Sequence, residues 1–340
     1  MFCHQCEQAA KGIGCEVSGV CGKTPEVSDL QDNLLYGLKG IAFFADKARG
    51  FGAKDPAIDR FVIEGLFATV TNVDFDPARL KKIIGECGRM IGKAQTMYEK
   101  AGGIEKPGFL AKLMALFSGA DAQQTKVAEG PGSWTPSADL VKQGREHGIK
   151  AIHEDADIRS VIEILTYGLK GMAAYADHAQ ILGREDEEVY AFFHKALAAT
   201  TDKNLGLMDF VGLSMECGKL NLKVMGMLNE GHVEHYGHPV PTKVQLGTKA
   251  GKAILVSGHD LRMLEELLKQ TEGKGINIYT HGEMLPAHGY PGLKKYPHLV
   301  GNFGGAWQDQ HKEFPGFPGA IIFNTNCIQK PAESYTGRLF

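Results

Sequence analysis

Four cysteines stand within the first twenty-one residues, Cys3, Cys6, Cys15 and Cys21, in the pattern Cys-x2-Cys-x8-Cys-x5-Cys. Thiolates are the soft ligands that iron-sulfur clusters select, and two cysteines two residues apart reach one cluster from a single tight turn. Gly12, Gly14, Gly19 and Gly22 lie between or beside them, so the loop can wrap an inorganic core and aim backbone N–H groups at sulfur. A structural zinc site is the competing reading. Zinc ribbons usually present two Cys-x2-Cys knuckles, however, and this chain has one. A second set of ligand-type residues, His259, Glu283 and Cys327, is scattered over the last third of the chain. Each is weak alone, since a histidine after a strand is commonly a loop residue, a glutamate in a first helical turn a cap, and a cysteine a small buried hydrophobe.

What must position these residues is legible in the hydrophobic periodicity. Leu30, Leu34, Leu38, Ile41, Ala42, Ala45 and Ala48 share one helical face. The pattern returns 131 residues later as Val161, Leu165, Leu169, Met172, Ala173, Ala176 and Ala179, and both copies contain Tyr-Gly-Leu-Lys-Gly, at Tyr36–Gly40 and Tyr167–Gly171. Such an internal repeat predicts two helical bundles of similar build, joined by a Gly- and Pro-rich stretch over residues 102–137. A further break is expected near residues 231–241, where Gly231, Gly237, Pro239 and Pro241 cluster. Beyond it, short apolar runs at Ala253–Val256, Ile276–Tyr279, Leu299–Val300 and Ala320–Phe323, with a helical stretch Leu261–Gln270 after the first, predict a parallel sheet. Ligands bind at the carboxyl edge of such sheets. The first run leads to His259, the second to Glu283 and the third long one to Cys327, so the three are expected to converge there. The expected architecture is α+β and multidomain: residues 1–235 with the cysteine motif and duplicated three-helix bundles, then residues 236–340 as a Rossmann-like α/β domain.

Composition narrows the function. Lys plus Arg number 37 against 40 Asp plus Glu, a net charge of -3, which argues against a nucleic-acid partner. No apolar run approaches the roughly 18 residues of a membrane helix, and no secretory signal precedes Cys3, so a cytoplasmic location is expected. Seven cysteines in such a chain suggest metal binding over disulfides. Cys87 and Cys217, in helical stretches, read as core packing residues. His281 and His288 flank Glu283, where proton supply or a contact behind the ligands is the alternative reading; with His298 they are expected to be exposed or satisfied by loop hydrogen bonds.

The cysteine spacing, Val256–Leu261 (Val-Ser-Gly-His-Asp-Leu), Tyr279–Ala287 (Tyr-Thr-His-Gly-Glu-Met-Leu-Pro-Ala) and Asn326-Cys327 resemble the hybrid-cluster (prismane) protein family of hydroxylamine reductases, over the whole chain. The resemblance implies a [4Fe-4S] cluster on Cys3, Cys6, Cys15 and Cys21, as in the anaerobe-type members. It also implies a hybrid [4Fe-2O-2S] cluster with His259, Glu283 and Cys327 among its ligands and as catalytic residues. The implied activity is reduction of hydroxylamine to ammonia and water, with electrons from a separate ferredoxin or reductase. Nitric oxide or another small nitrogen oxide, and nitrosothiol chemistry, are alternatives within the family; a nickel-containing carbon monoxide dehydrogenase-like enzyme and a non-enzymatic electron carrier are alternatives outside that activity. Family members continue into a domain with three more cysteines and a second glutamate of the hybrid cluster. This sequence reaches Phe340 without them, which leaves the hybrid ligand set incomplete and the isolated chain expected to be a poor hydroxylamine reductase.

Overall fold

The computed structural model describes residues 1–103 and 130–340. Most of the Gly- and Pro-rich stretch expected to join the repeats thus lies outside the described residues. Helix α1, Pro25–Gly50, begins where the Thr24 side chain accepts the Val27 N–H at 3.3 Å and Pro25 occupies the first turn, where its missing donor costs nothing. It is followed by α2, Pro56–Ala68, and α3, Pro77–Tyr98, capped by Asp55 and Asp76. After the short α4, Leu140–Glu146, the pattern repeats as α5, Ala156–Ile181, α6, Glu187–Ala199, and α7, Leu207–Tyr236. Both ends of α1 and α2 recur 131 residues on, from Pro25 to Ala156 and from Ala68 to Ala199.

The repeat does not fold as two separate bundles of consecutive helices. Helix α1 packs mainly on α3 and on α6 of the other copy, while α5 packs on α7 and on α2. The middle helices are therefore exchanged, and one continuous apolar core runs from Val27 to Val224 through both copies. Cys87 and Cys217 occupy equivalent places in it: a Cβ on Gly37 would stand 2.7 Å from the first sulfur, and one on Gly168 would stand 3.1 Å from the second. Both are sealed among helices, and burial raises their thiols, Cys217 to about 11.

The break expected near residues 231–241 falls within that range: helix α7 runs through Gly231, which is buried against Leu182, 3.1 Å from where a Cβ would sit. It ends at Tyr236, with Gly237 at φ 79°. Strands β1, Lys252–Ser257, β2, Ile276–His281, β3, Leu299–Asn302, and β4, Ala320–Phe323, then form a parallel sheet of order β3-β2-β1-β4. Helix α8, Leu261–Thr271, connects β1 to β2 and is capped by Asp260. Alternation along the pleat sends Val256 and Ile278 to one core with Leu264 and Leu268, and Leu255, Tyr279 and Ile321 to another with Phe314 and Tyr335. In register, Ser257 pairs with His281 on one side and with Phe323 on the other. Three strands thus end at one level. Among the described residues no helix is long and apolar enough to cross a membrane.

Candidate metal centres

The N-terminal loop is closed by a two-residue antiparallel bridge, with Cys3 N donating to Cys15 O at 3.1 Å and Cys15 N to Cys3 O at 2.8 Å. Its turn passes through Lys11 and Gly12, both at positive φ. The Ala10 N–H points at Cys15 Sγ, 3.4 Å away, the kind of bond that tunes a metal-bound thiolate. Gly19 keeps space beside Cys21, since a Cβ there would come within 3.1 Å of the sulfur. All four cysteines are free thiols, Cys15 and Cys21 buried and Cys3 and Cys6 half-buried. Burial raises the Cys6 and Cys21 thiols first, and the neighbouring thiolates raise them further: Cys21 and Cys3 act on Cys6, and Cys3 acts on Cys21. Thiols whose charges raise one another suit a cationic iron-sulfur core, which would stabilise every thiolate at once.

At the strand ends the structure brings the three scattered residues together. Gly258 follows β1 at φ 129°, and a Cβ there would fall 1.8 Å from Asn324 Oδ1, so only glycine allows the chain to turn. Asn324 holds the turn by accepting the His259 N–H at 3.0 Å and donating to Asp260 O at 2.9 Å. His259 Nδ1 lies 2.8 Å from Asn326 O, an acceptor, so Nδ1 carries the proton and Nε2 turns outward. Nε2 meets Glu283 Oε2, and Cys327 Sγ lies 4.0 Å from the same oxygen. Burial pushes the Cys327 thiol up to about 12, helped by Glu283, Glu7 and Cys6. The Lys330 N–H, three residues beyond Cys327, donates to Cys21 O at 2.8 Å and ties this end of the chain to the cysteine loop.

The donor set of imidazole, carboxylate and thiol suits iron with mixed oxygen and sulfur ligation. Among the described residues no three His, Cys, Asp or Glu side chains are arranged for a single metal ion; the fit to a larger core rests on donor chemistry and orientation. His281 and His288 do not face Glu283. His281 is buried between Ser257 Oγ at 3.3 Å and Glu313 Oε2 at 2.9 Å, and His288 bonds Thr280 Oγ1 at 2.9 Å; burial lowers both imidazoles. His298 is likewise held, by Thr271 Oγ1 at 3.0 Å. Residues that sequence reasoning missed are supports: Asn324 and Asn326 for His259, and Gln310, whose amide donates to Cys327 O at 2.9 Å and accepts the Gln329 N–H at 2.9 Å. The Asn-Thr-Asn run before Cys327 was a signal for the first two; Gln310 had none.

Fold and site together describe a duplicated helical region joined to a parallel sheet whose strand ends bear metal-ligand side chains beside a cysteine-rich loop. Residues 1–340 match the Prismane/CO dehydrogenase family, and the chain belongs to it. It is 70% identical over 344 residues to a hydroxylamine reductase of Geobacter sulfurreducens and 67% identical over 343 residues to one of Geobacter metallireducens. Each match covers 100% of this chain and 60% of the relative, so the chain spans about 60% of the length of these curated relatives. Among solved structures, a Ni-free carbon monoxide dehydrogenase of a Thermococcus species aligns at 15% identity and a TM-score of 0.31, over 96% of this chain and 46% of that one.

Proposed function

We propose that this chain serves two-electron reduction of hydroxylamine to ammonia and water, with Cys3, Cys6, Cys15 and Cys21 holding a [4Fe-4S] cluster and His259, Glu283 and Cys327 contributing to a hybrid iron-sulfur-oxygen cluster. The observation that carries the reading is the approach of His259 Nε2 and Cys327 Sγ to one oxygen of Glu283, next to the cysteine loop. When bound, such clusters supply electrons and an iron site at which an N–O bond can be reduced. The chain's own residues do the rest. Asn326 O fixes the imidazole tautomer and leaves Nε2 as the donor atom. Glu283 is exposed, open to solvent for a small substrate and for the two protons the reaction consumes. A mixed ligand shell saturates iron with thiolate less than four cysteines do, which separates a substrate site from an electron-transfer site. The electrons come from a separate ferredoxin or reductase, and the enzyme works in the cytoplasm.

The test is ammonia formation from hydroxylamine with reduced methyl viologen. It is run anaerobically on iron- and sulfide-loaded chain, alone and with the remaining portion of the Geobacter sulfurreducens reductase added in trans. Turnover is expected in the combined preparation and is lost in Glu283→Gln and Cys327→Ser. Ammonia from neither preparation, or wild-type rates in both variants, would overturn the reading.

A further inference from the structure

The duplication carries a second constellation that the metal centres do not use. On α1, Asp32, Tyr36 and Lys39 follow at i, i+4 and i+7; on α5, Glu163, Tyr167 and Lys170 repeat the same acid, phenol and amine at the same spacing. One helix face carries each set. Asp32, Glu163, Tyr167 and Lys170 line a small interior cavity of about 30 Å³, together with Cys3 and Lys23. That is room for about two water molecules. The polar groups around it call for water: the Tyr167 hydroxyl is buried with no hydrogen-bond partner, and Lys170, 5% exposed, engages Thr69 O at 3.1 Å, leaving two of its three donors for the cavity.

We propose that this cavity is a hydrated proton-exchange site for the N-terminal centre, in which Asp32 takes up one proton when the iron held through Cys3 gains one electron. The inference rests on the iron-sulfur reading of the cysteine loop. The electron comes from an external one-electron donor and the proton from bulk water; one O–H bond forms on an Asp32 carboxylate oxygen, no bond of the protein breaks, and the net charge of the buried region is unchanged. A negative charge added beside Cys3 stabilises the protonated carboxyl, and neutralising it in a low-dielectric interior is what makes reduction favourable there. Asp32 is poised for this. Burial raises its carboxyl to about 7, with Lys170 and Lys23 pulling down and Asp29 pushing up; burial and Lys23 bring Lys170 down to about 8. The charged and titratable groups facing the pair are Asp29 and Lys39 from α1, Glu163 and Tyr167 from α5, and Lys23, Cys3, His4 and the N-terminal ammonium from the opening loop. Arg145, at the end of α4, acts through Asp29, 2.8 Å from its Nε.

The sign sets the pH window. Below about 7 Asp32 is already neutral before reduction, so no proton is taken up; above it, uptake accompanies the electron and the potential falls as pH rises. In an EPR-monitored redox titration of the loaded protein, the midpoint is expected to be flat below that point. Above it, the midpoint falls by up to about 59 mV for each tenfold drop in proton concentration, the one-electron limit. Asp32→Asn should flatten the profile with cluster content and line shape intact, and Lys170→Met should move the onset to higher pH. Should Asp32→Asn fail to fold, reduced-minus-oxidised infrared spectra of wild-type protein with labelled aspartate must gain a protonated carboxyl stretch. A pH-independent wild-type potential, a slope that survives Asp32→Asn, or no carboxyl band overturns the proposal while leaving the cluster assignment standing. Failure of the cysteines to bind any cluster overturns both.

Discussion

The cysteine loop takes its four thiols from residues 3–21, whereas the strand-end trio takes three unlike ligands from residues 259–327. The first set is held mainly by its own backbone, a two-residue bridge between Cys3 and Cys15 and turns at positive φ, with Cys21 O tied to the Lys330 N–H. The second is held by the sheet, whose register brings Ser257, His281 and Phe323 to one level, and by Asn324, which ties the turn after β1 to the one after β4. A local loop tolerates change where its backbone is open to solvent. A site assembled from distant strands fails wherever two of its turns touch.

The sharpest way to break this contrast is a pair of glycine substitutions. Gly258→Ala would drive a methyl to 1.8 Å from Asn324 Oδ1 at φ 129°. It is expected to cost roughly 3 kcal/mol or more through overpacking and backbone strain, read as a drop in thermal unfolding temperature, and to separate His259 from Cys327. Gly12→Ala meets nothing within 4 Å and bears only its φ of 69°, so about 1 kcal/mol and an intact N-terminal cluster spectrum are expected. Equal losses would show that the loop is not self-supporting. Between these lies Asn324→Ala, which removes one of two acceptors for the His259 N–H, leaving Thr325 Oγ1 at 2.9 Å, and also removes the tie to Asp260 O. Loss of such an outer support is expected to weaken iron held at the strand ends about 10- to 100-fold, measured by chelator competition; unchanged affinity would mean that Thr325 Oγ1 and Asn326 O suffice to orient the imidazole.

The same contrast explains what could be seen in the sequence. The Cys3–Cys21 pattern stands out in the sequence because its spacing is local, and the α1 face was legible because Leu30, Leu34, Leu38 and Ile41 repeat at helical spacing and are all buried. Parallel strands were legible as short apolar runs, and the meeting of His259, Glu283 and Cys327 followed from strand ends alone. The exchange of α2 and α6 was not legible. Both helices have the same length and a similar apolar stripe, so periodicity cannot say which copy each one covers. The break over residues 231–241 was legible from its glycines and prolines, but not its exact place, because Gly231, which admits Leu182 inside the helix, looks in one dimension like Gly237, which ends it. Gln310 was invisible because its role is a contact with the backbone of Cys327, across a loop that no pattern announces.

The central proposal, that the cysteine loop and the strand ends hold two adjoining metal centres built by different means, is tested most directly by the reduced-state EPR spectrum of anaerobically loaded protein. The wild-type chain is predicted to give a cluster signal that disappears in Cys6→Ser and in Cys15→Ser and survives in Glu283→Gln and Cys327→Ser. A signal unchanged by both loop substitutions, or abolished by the strand-end ones, would contradict the account.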